Sequence, residues 1–208
     1  SNCGQLNVTF VHPDPGDLAL SSALFDVTGN GNDGDTQRMV ATTNTVNPNF
    51  FVVLHPQGDG EPAPVVTRPT VTGGFAATLT WASPNVVDQV VFAENGGQAF
   101  LTGLTLHGRA GVVRKINTAI AAYSLSEGSG LYVGSVSAAI VHGGHTASLA
   151  SDGQKITLSD RTYPYTLFGP GVTQVVDAAG VAVAFQKSGN YVYVNKNPPG
   201  GGRGEFEN

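Results

Sequence analysis

His142-Gly143-Gly144-His145 sets two imidazoles three residues apart, and imidazole is the commonest side-chain ligand of transition metals. A zinc site would draw its remaining ligands from elsewhere, since no Cys or carboxylate lies nearby in sequence. The alternative is a surface turn, because the two glycines follow an apolar run that reads as a strand. Asp26, Asp33 and Asp35 stand among Asn and Gly in a second cluster, an oxygen-rich and turn-prone set that suits calcium. The cluster lacks the twelve-residue spacing and closing Glu of a helix-loop-helix calcium site, and a solvated acidic loop is the competing reading. Asn208 ends the chain; an Asn side-chain nitrogen attacks its own carbonyl carbon to form a cyclic imide when a nearby base manages the protons. A truncation at that point explains the same residue equally well.

Other chemistry finds little footing. No Gly-x-Ser-x-Gly elbow is present, and Ser129 sits in Gly128-Ser129-Gly130, which reads as a hairpin turn. Walker loops, dinucleotide fingerprints and Cys-x-x-Cys pairs are missing. The sequon Asn7-Val8-Thr9 matters only in a secretory compartment. A conventional enzyme is therefore the weaker expectation, and no cofactor is predicted beyond calcium.

The elements that would carry these residues are strands. The chain has 26 Val and 19 Thr, whose branched side chains suit a pleated sheet. Strands are predicted over 37–44, 50–55, 74–81, 86–92, 99–106, 112–125, 131–141, 155–158, 172–176, 181–186 and 191–195. Phe75, Ala77, Leu79 and Trp81 alternate with Ala76, Thr78 and Thr80, the two-residue period of a strand. Turn residues tolerant of positive φ separate the runs, as in Asp152-Gly153, Glu127-Gly128, Asn95-Gly96-Gly97 and Ser188-Gly189-Asn190. Residues 13–35 look irregular, and Pro198-Pro199-Gly200-Gly201-Gly202 reads as a linker. No internal repeat of fixed period stands out, which disfavours propellers and solenoids. The expected fold is all-β, an antiparallel β-sandwich or jelly roll, with an irregular segment over 1–36, the sandwich over 37–196 and a tail over 197–208.

Composition narrows the partners. Charged residues make up 12% of the chain and hydrophobic ones 40%, which excludes coiled coils and charged disordered tails. No apolar run approaches the length of a membrane-spanning helix. The net charge of −5, with no basic cluster beyond Arg114-Lys115, makes this chain a poor nucleic-acid binder. A single Cys, Cys3, cannot form an intrachain disulfide, which leans toward an intracellular setting. The start at Ser1-Asn2-Cys3, without Met or leader, suggests a processed product or an excised piece.

The stretch Gly111-Val112-Val113-Arg114-Lys115-Ile116-Asn117-Thr118-Ala119-Ile120-Ala121-Ala122-Tyr123, followed by Gly130-Leu131-Tyr132-Val133-Gly134-Ser135-Val136-Ser137-Ala138-Ala139, resembles a strand pair of the coat proteins of small icosahedral RNA viruses. Upstream, Gln37 to Pro56 is similar to their first sheet strands, with the apolar strand Phe51-Val52-Val53-Leu54-His55-Pro56 ending in Pro. The resemblance, to the nodavirus-like shell domain in particular, implies a viral jelly roll and a structural capsid protein. Many copies would assemble in the host cytoplasm into the icosahedral shell of a virion and enclose genomic RNA through a region outside this chain. It further implies self-cleavage after Asn208 assisted by Asp14, with a second cleavage fragment of the same precursor as partner. The alternative expectation is a β-sandwich carbohydrate-binding or adhesin module, with Trp81, Tyr132, Tyr163, Tyr165, Tyr191 and Tyr193 as stacking surfaces. A hydrolase on a β scaffold is the third class, with His142 or Asp152 as the residues to test.

Overall fold

The Val- and Thr-rich chain forms strands over most of its described length, as branched side chains on a pleated backbone favour. A computed structural model describes residues 5–13, 15–25, 36–44, 49–58, 60–82 and 85–199. Asp14, Asp26, Asp33, Asp35 and Asn208 lie outside the described residues, and so does Cys3. The chain divides into two units, residues 1–61 and 62–208.

The first unit contains two antiparallel ribbons: β1 (Gln5–His12) pairs with β4 (Phe51–Gln57), and β2 (Leu18–Phe25) pairs with β3 (Thr36–Thr43). Pairing along the whole of β2 and β3, from Leu18 opposite Thr43 to Phe25 opposite Thr36, places residues 36–43 in this unit. The sequence had suggested instead that the sandwich begins at residue 37. The stretch 13–35, expected to be irregular, contributes β2 and a short 3-10 turn at Pro15–Asp17.

The second unit is a two-sheet sandwich. In chain order its strands are β5 (Val65–Thr67), β6 (Val71–Thr72), β7 (Gly74–Thr80), β8 (Val86–Ala93), β9 (Gln98–Leu101), β10 (Leu104–His107), β11 (Ala110–Ile116) and β12 (Ala119–Gly128). They continue as β13 (Gly130–Val133), β14 (Val136–Val141), β15 (Ala147–Ser151), β16 (Lys155–Leu158), β17 (Tyr165–Phe168), β18 (Gln174–Asp177), β19 (Gln186–Ser188) and β20 (Tyr191–Val194). Among the described residues, sheet I runs β18-β16-β15-β12-β11-β8-β7-β5 and sheet II runs β19-β20-β17-β14-β13-β10-β9-β6. Every pairing is antiparallel except that of β16 with β18.

The sandwich is jelly-roll-like in its packed antiparallel sheets, and the chain builds it hairpin by hairpin. The pair β7-β8 lies in sheet I, β9-β10 in sheet II, β11-β12 in sheet I, β13-β14 in sheet II and β15-β16 in sheet I. Sheet I hairpins thus begin at Gly74, Ala110 and Ala147, a spacing of about 36 residues, inside the range of stacked repeats. This recurrence is absent from the residue identities, because a hairpin needs only alternation and a turn, which many sequences supply.

Three segments expected to be single strands are these hairpins. The span 99–106 turns at Gly103, 112–125 at Asn117-Thr118 and 131–141 at Gly134, each with positive φ. Thr118 at φ 73° is a branched residue in the left-handed region, so nothing in its type announced the turn. The expected strand 181–186 reduces to bridge residues at Ala182, opposite Val176, and at Phe185, with β19 starting at Gln186.

Between these hairpins the chain crosses from sheet to sheet at Glu94–Gly97, Gly108-Arg109, Ser129 and residues 142–146. Ser129 is therefore a crossing residue between β12 and β13, where the sequence had suggested a hairpin turn. Successive crossings bond to one another: the Gly108 N–H donates to the Gly97 carbonyl (2.9 Å), Ser129 N–H to His107 (2.8 Å) and Val141 N–H to Ser129 (2.9 Å). The backbones of Gly108 and Gly128 meet so closely that a Cβ on Gly108 would lie 2.5 Å from the Gly128 Cα.

Between the sheets, Leu104, Leu106, Leu131 and Leu167 of sheet II pack with Val91, Val113, Leu125 and Leu158 of sheet I in one buried cluster. Tyr123 of β12 is buried among them and donates its hydroxyl to the Phe168 carbonyl of β17 (2.8 Å), which ties one sheet to the other. No helix among the described residues is long and apolar enough to cross a membrane.

Gly108→Ala is expected to destabilise the chain by about 2–3 kcal/mol, the cost of forcing a methyl group into a filled site. Ser135→Ala in an exposed hairpin turn should change stability by less than about 0.5 kcal/mol. Urea unfolding of the two variants, read as a shift in midpoint at constant slope, checks both.

Candidate functional site

The outer face of sheet II carries two rows of side chains in register. Directly opposite residues link Gln98, His107, Gly130, Ile140, Thr166, Tyr193 and Gln186 across seven strands. At about 4.8 Å per strand the row is about 29 Å long. A neighbouring row links Thr72, Phe100, Thr105, Tyr132 and Ser137. The period-two rule explains the composition, for Ala99, Leu101, Leu104, Leu106, Leu131 and Leu167 between these positions face the core. Tyr193 and Gln186 are buried, whereas Gln98 and Phe100 are open and His107, Thr105, Tyr132, Ile140 and Thr166 are half-buried.

Tyr132 joins the rows. Its ring lies over Gly130, where a Cβ would stand 2.7 Å from the ring edge, so the glycine makes the room that keeps the ring flat on the sheet. His107 meets the same ring edge to face, with centroids 5.3 Å apart at 61°. Phe100, 46% exposed, stands on the next-but-one strand of the same row.

A polar cluster flanks the long row. Thr166 Oγ1 lies 2.8 Å from Nε2 of His142, and the Lys196 ammonium lies 3.1 Å from Nε2 and 3.3 Å from Nδ1. Burial and the Lys196 charge both push the His142 imidazole below its ordinary value, which keeps the ring neutral beside the cation. Asn195, in the left-handed region at φ 50°, ends β20 and donates its side-chain amide to the carbonyls of Arg161 (2.6 Å) and Tyr163 (3.2 Å). That turn is what returns Lys196 to His142.

The expected pair of histidine ligands is engaged separately. His142 faces Thr166 and Lys196, while His145 stacks on Tyr163 with centroids 4.2 Å apart at 1°. An ammonium beside both nitrogens of His142 opposes a metal there by like charge. Among the described residues no three His, Cys, Asp or Glu side chains gather to hold a metal ion. Asp152 accepts the backbone N–H groups of Gln154 (3.0 Å) and Lys155 (2.7 Å), a turn-forming role at the tip of β15-β16.

The six aromatic side chains considered as stacking surfaces separate by environment. Tyr132 lies on the open face; Tyr165 is fully buried in the core, its hydroxyl pushed up to about 12 mainly by burial. Tyr193 is buried, Tyr163 is taken by His145, and Tyr191 packs edge-on to Phe168 at 5.9 Å. Trp81 donates its indole N–H to Asp88 (3.0 Å), which also holds Arg114 through two bonds of 2.7 Å. Burial pushes the Asp88 carboxyl up, but the bonds from Arg114 and Trp81 outweigh it and hold it below the usual range. Sequence reading missed Phe100, His107, Thr166 and Lys196. The signal was available in Gln98, Phe100, Thr105 and His107, which are the polar or aromatic members of a hairpin whose other members are Ala and Leu.

In comparisons with known proteins, no family model matches this chain and neither does any curated protein.

The His142 ring is expected to protonate below the ordinary imidazole value near 6.5. The unfolded chain then takes up the proton first, so this group lowers stability as pH falls from about 6.5 toward its folded value. Lys196→Met should move the titration upward, read from imidazole proton shifts in an NMR pH series, while an unchanged midpoint would place the ammonium away from the ring.

Proposed function

We propose that the second unit is a recognition module that binds an extended carbohydrate along the outer face of sheet II, in an adhesive rather than catalytic role. The observation that carries this reading is the registered double row of hydroxyl, amide, imidazole and aromatic groups on an open sheet face. One strand spacing is close to the length of a pyranose unit, so successive sugars would meet successive strands. Tyr132 and Phe100 supply flat apolar surface for sugar rings, and Thr105, Thr166, Gln98 and Ser137 supply hydrogen-bonding groups. Because both rows stand on paired strands rather than on loops, the face is pre-organised and little ordering cost attends binding.

A shell subunit is the second reading, favoured by the first unit. One face of the β1-β4 ribbon is apolar, with Leu6, Val8 and Phe10 opposite Pro56, Leu54 and Val52; Leu6 is 59% and Leu54 61% exposed. A two-stranded ribbon is marginal in water and gains stability when such a face is covered by another copy. Low charge would reduce repulsion among the many copies of a closed shell. The short outer strands β5, β6 and β19 bear against assembly by strand addition, so a shell would close through faces.

Light scattering after size exclusion, with a glycan array on the same material, separates the two. The recognition reading expects a monomer or small oligomer that binds glycans, and Tyr132→Ala should weaken binding about tenfold, or ~1.4 kcal/mol. Uniform large particles with a blank array would replace it by the shell reading, and Leu54→Glu should then prevent their assembly.

A further inference from the structure

We infer that the carbohydrate bound on sheet II is an acidic polysaccharide, whose anionic group is received by Lys196 beside Thr166 and His142. This rests on the recognition reading and goes beyond it by naming the ligand's charge. Among the described residues the ion pairs join Arg109 to Glu127, Arg114 to Asp88 and Arg161 to Asp177, and no carboxylate pairs with Lys196. Two other lysines of the second unit also have neutral partners, but in structural settings. Lys115 meets the Gln89 amide oxygen, and Lys187 caps the carbonyls of Pro170 and Val172. The neighbour of Lys196 is different: an imidazole at the end of the accessible row, which in turn meets the Thr166 hydroxyl on that row.

The charge is placed there by the chain. Asn195 leaves β20 in a left-handed turn, pinned to two carbonyls of the 161–163 segment, and this brings the next residue back over the strand ends at His142. Lys196 is half-buried as a residue and its ammonium meets the neutral ring of His142, so an arriving carboxylate or sulfate would be the opposite charge it lacks among the described residues. With His142 Nε2–H donating to Thr166 Oγ1, the Thr166 hydroxyl proton is free for the same anion, and its register neighbour Ile140 leads toward the ring of Tyr132. A sugar ring on Tyr132 and an anionic group at Lys196 would thus share one row. In a chain of net charge −5, a polyanion is disfavoured at long range, so its binding requires such a local cation and will weaken as salt screens it.

The test uses the whole chain with three polymers of known charge: polygalacturonate, dextran sulfate and neutral dextran, measured by calorimetry at low and high salt. At least tenfold tighter binding of one or both acidic polymers than of dextran is expected. Polygalacturonate and dextran sulfate tell carboxylate from sulfate. Lys196→Met should abolish the preference, while Tyr132→Ala should weaken every polymer that binds. Lys196→Arg, which keeps the charge, should retain the preference and so separates charge from packing. Dextran binding as well as the acidic polymers overturns the acidic assignment and leaves the recognition reading in place. An unchanged preference in Lys196→Met overturns the site. No binding to any of the three overturns this inference, and a blank array alongside it removes the recognition reading too.

Discussion

Contact between backbones at the crossings governs this sandwich. A chain that changes sheet after every hairpin must stack its crossings, and successive crossings here bond N–H to carbonyl at Gly97-Gly108, His107-Ser129 and Ser129-Val141. Bonds of that kind need backbones a single amide apart, and at Gly108 and Gly128 any side chain would occupy the space. Once the crossings are stacked, each hairpin lies beside the previous one in its own sheet, and pairing across β8-β11, β10-β13 and β12-β15 follows. Leucines at alternate positions then meet between the sheets, where burial supplies most of the stabilisation.

The same arrangement accounts for what was legible in the residues. Alternation and β-branching announced an all-β antiparallel sandwich, and Lys155 to Leu158 is a strand as expected, because those properties are local. The hairpins in 99–106, 112–125 and 131–141 were not legible in full. Their turns rest on Thr102-Gly103, Asn117-Thr118 and Gly134-Ser135, and a Thr at positive φ is imposed by the flanking strands rather than chosen by its own preference. Crossing glycines and turn glycines look alike in sequence. Gly128-Ser129-Gly130 suits a hairpin, and only the partner strands reveal that it joins two sheets.

The candidate site was legible only in fragments. His142 and Tyr132 drew attention by type, one as half of a ligand pair and the other among six aromatics. What gives them meaning is register. Tyr132 lies over Gly130, Gly130 is opposite His107 and Ile140, and Ile140 is opposite Thr166, which bonds His142. Residues from 107 to 166 become a single row through three pairings, of which only the β13-β14 hairpin is local. Lys196 joins through a turn at Asn195, a residue that reads in sequence as the end of a strand.

The two outer faces of the sandwich resolve their polar groups in opposite ways. On sheet I, Asp88 is closed by Arg114 and Trp81, so charge, donors and acceptors are satisfied within the face. Satisfaction of that kind stabilises a surface and leaves it little to offer a ligand. On sheet II, the Lys196 charge meets only neutral groups among the described residues, and along the rows Thr72 and Phe100 stand open while Thr105, Tyr132 and Thr166 are half-buried. Sheet II's edge strands β6 and β19 are short, so its backbone offers little to an incoming strand. What this sheet presents is therefore its outward-facing side chains, set in register across several strands at once.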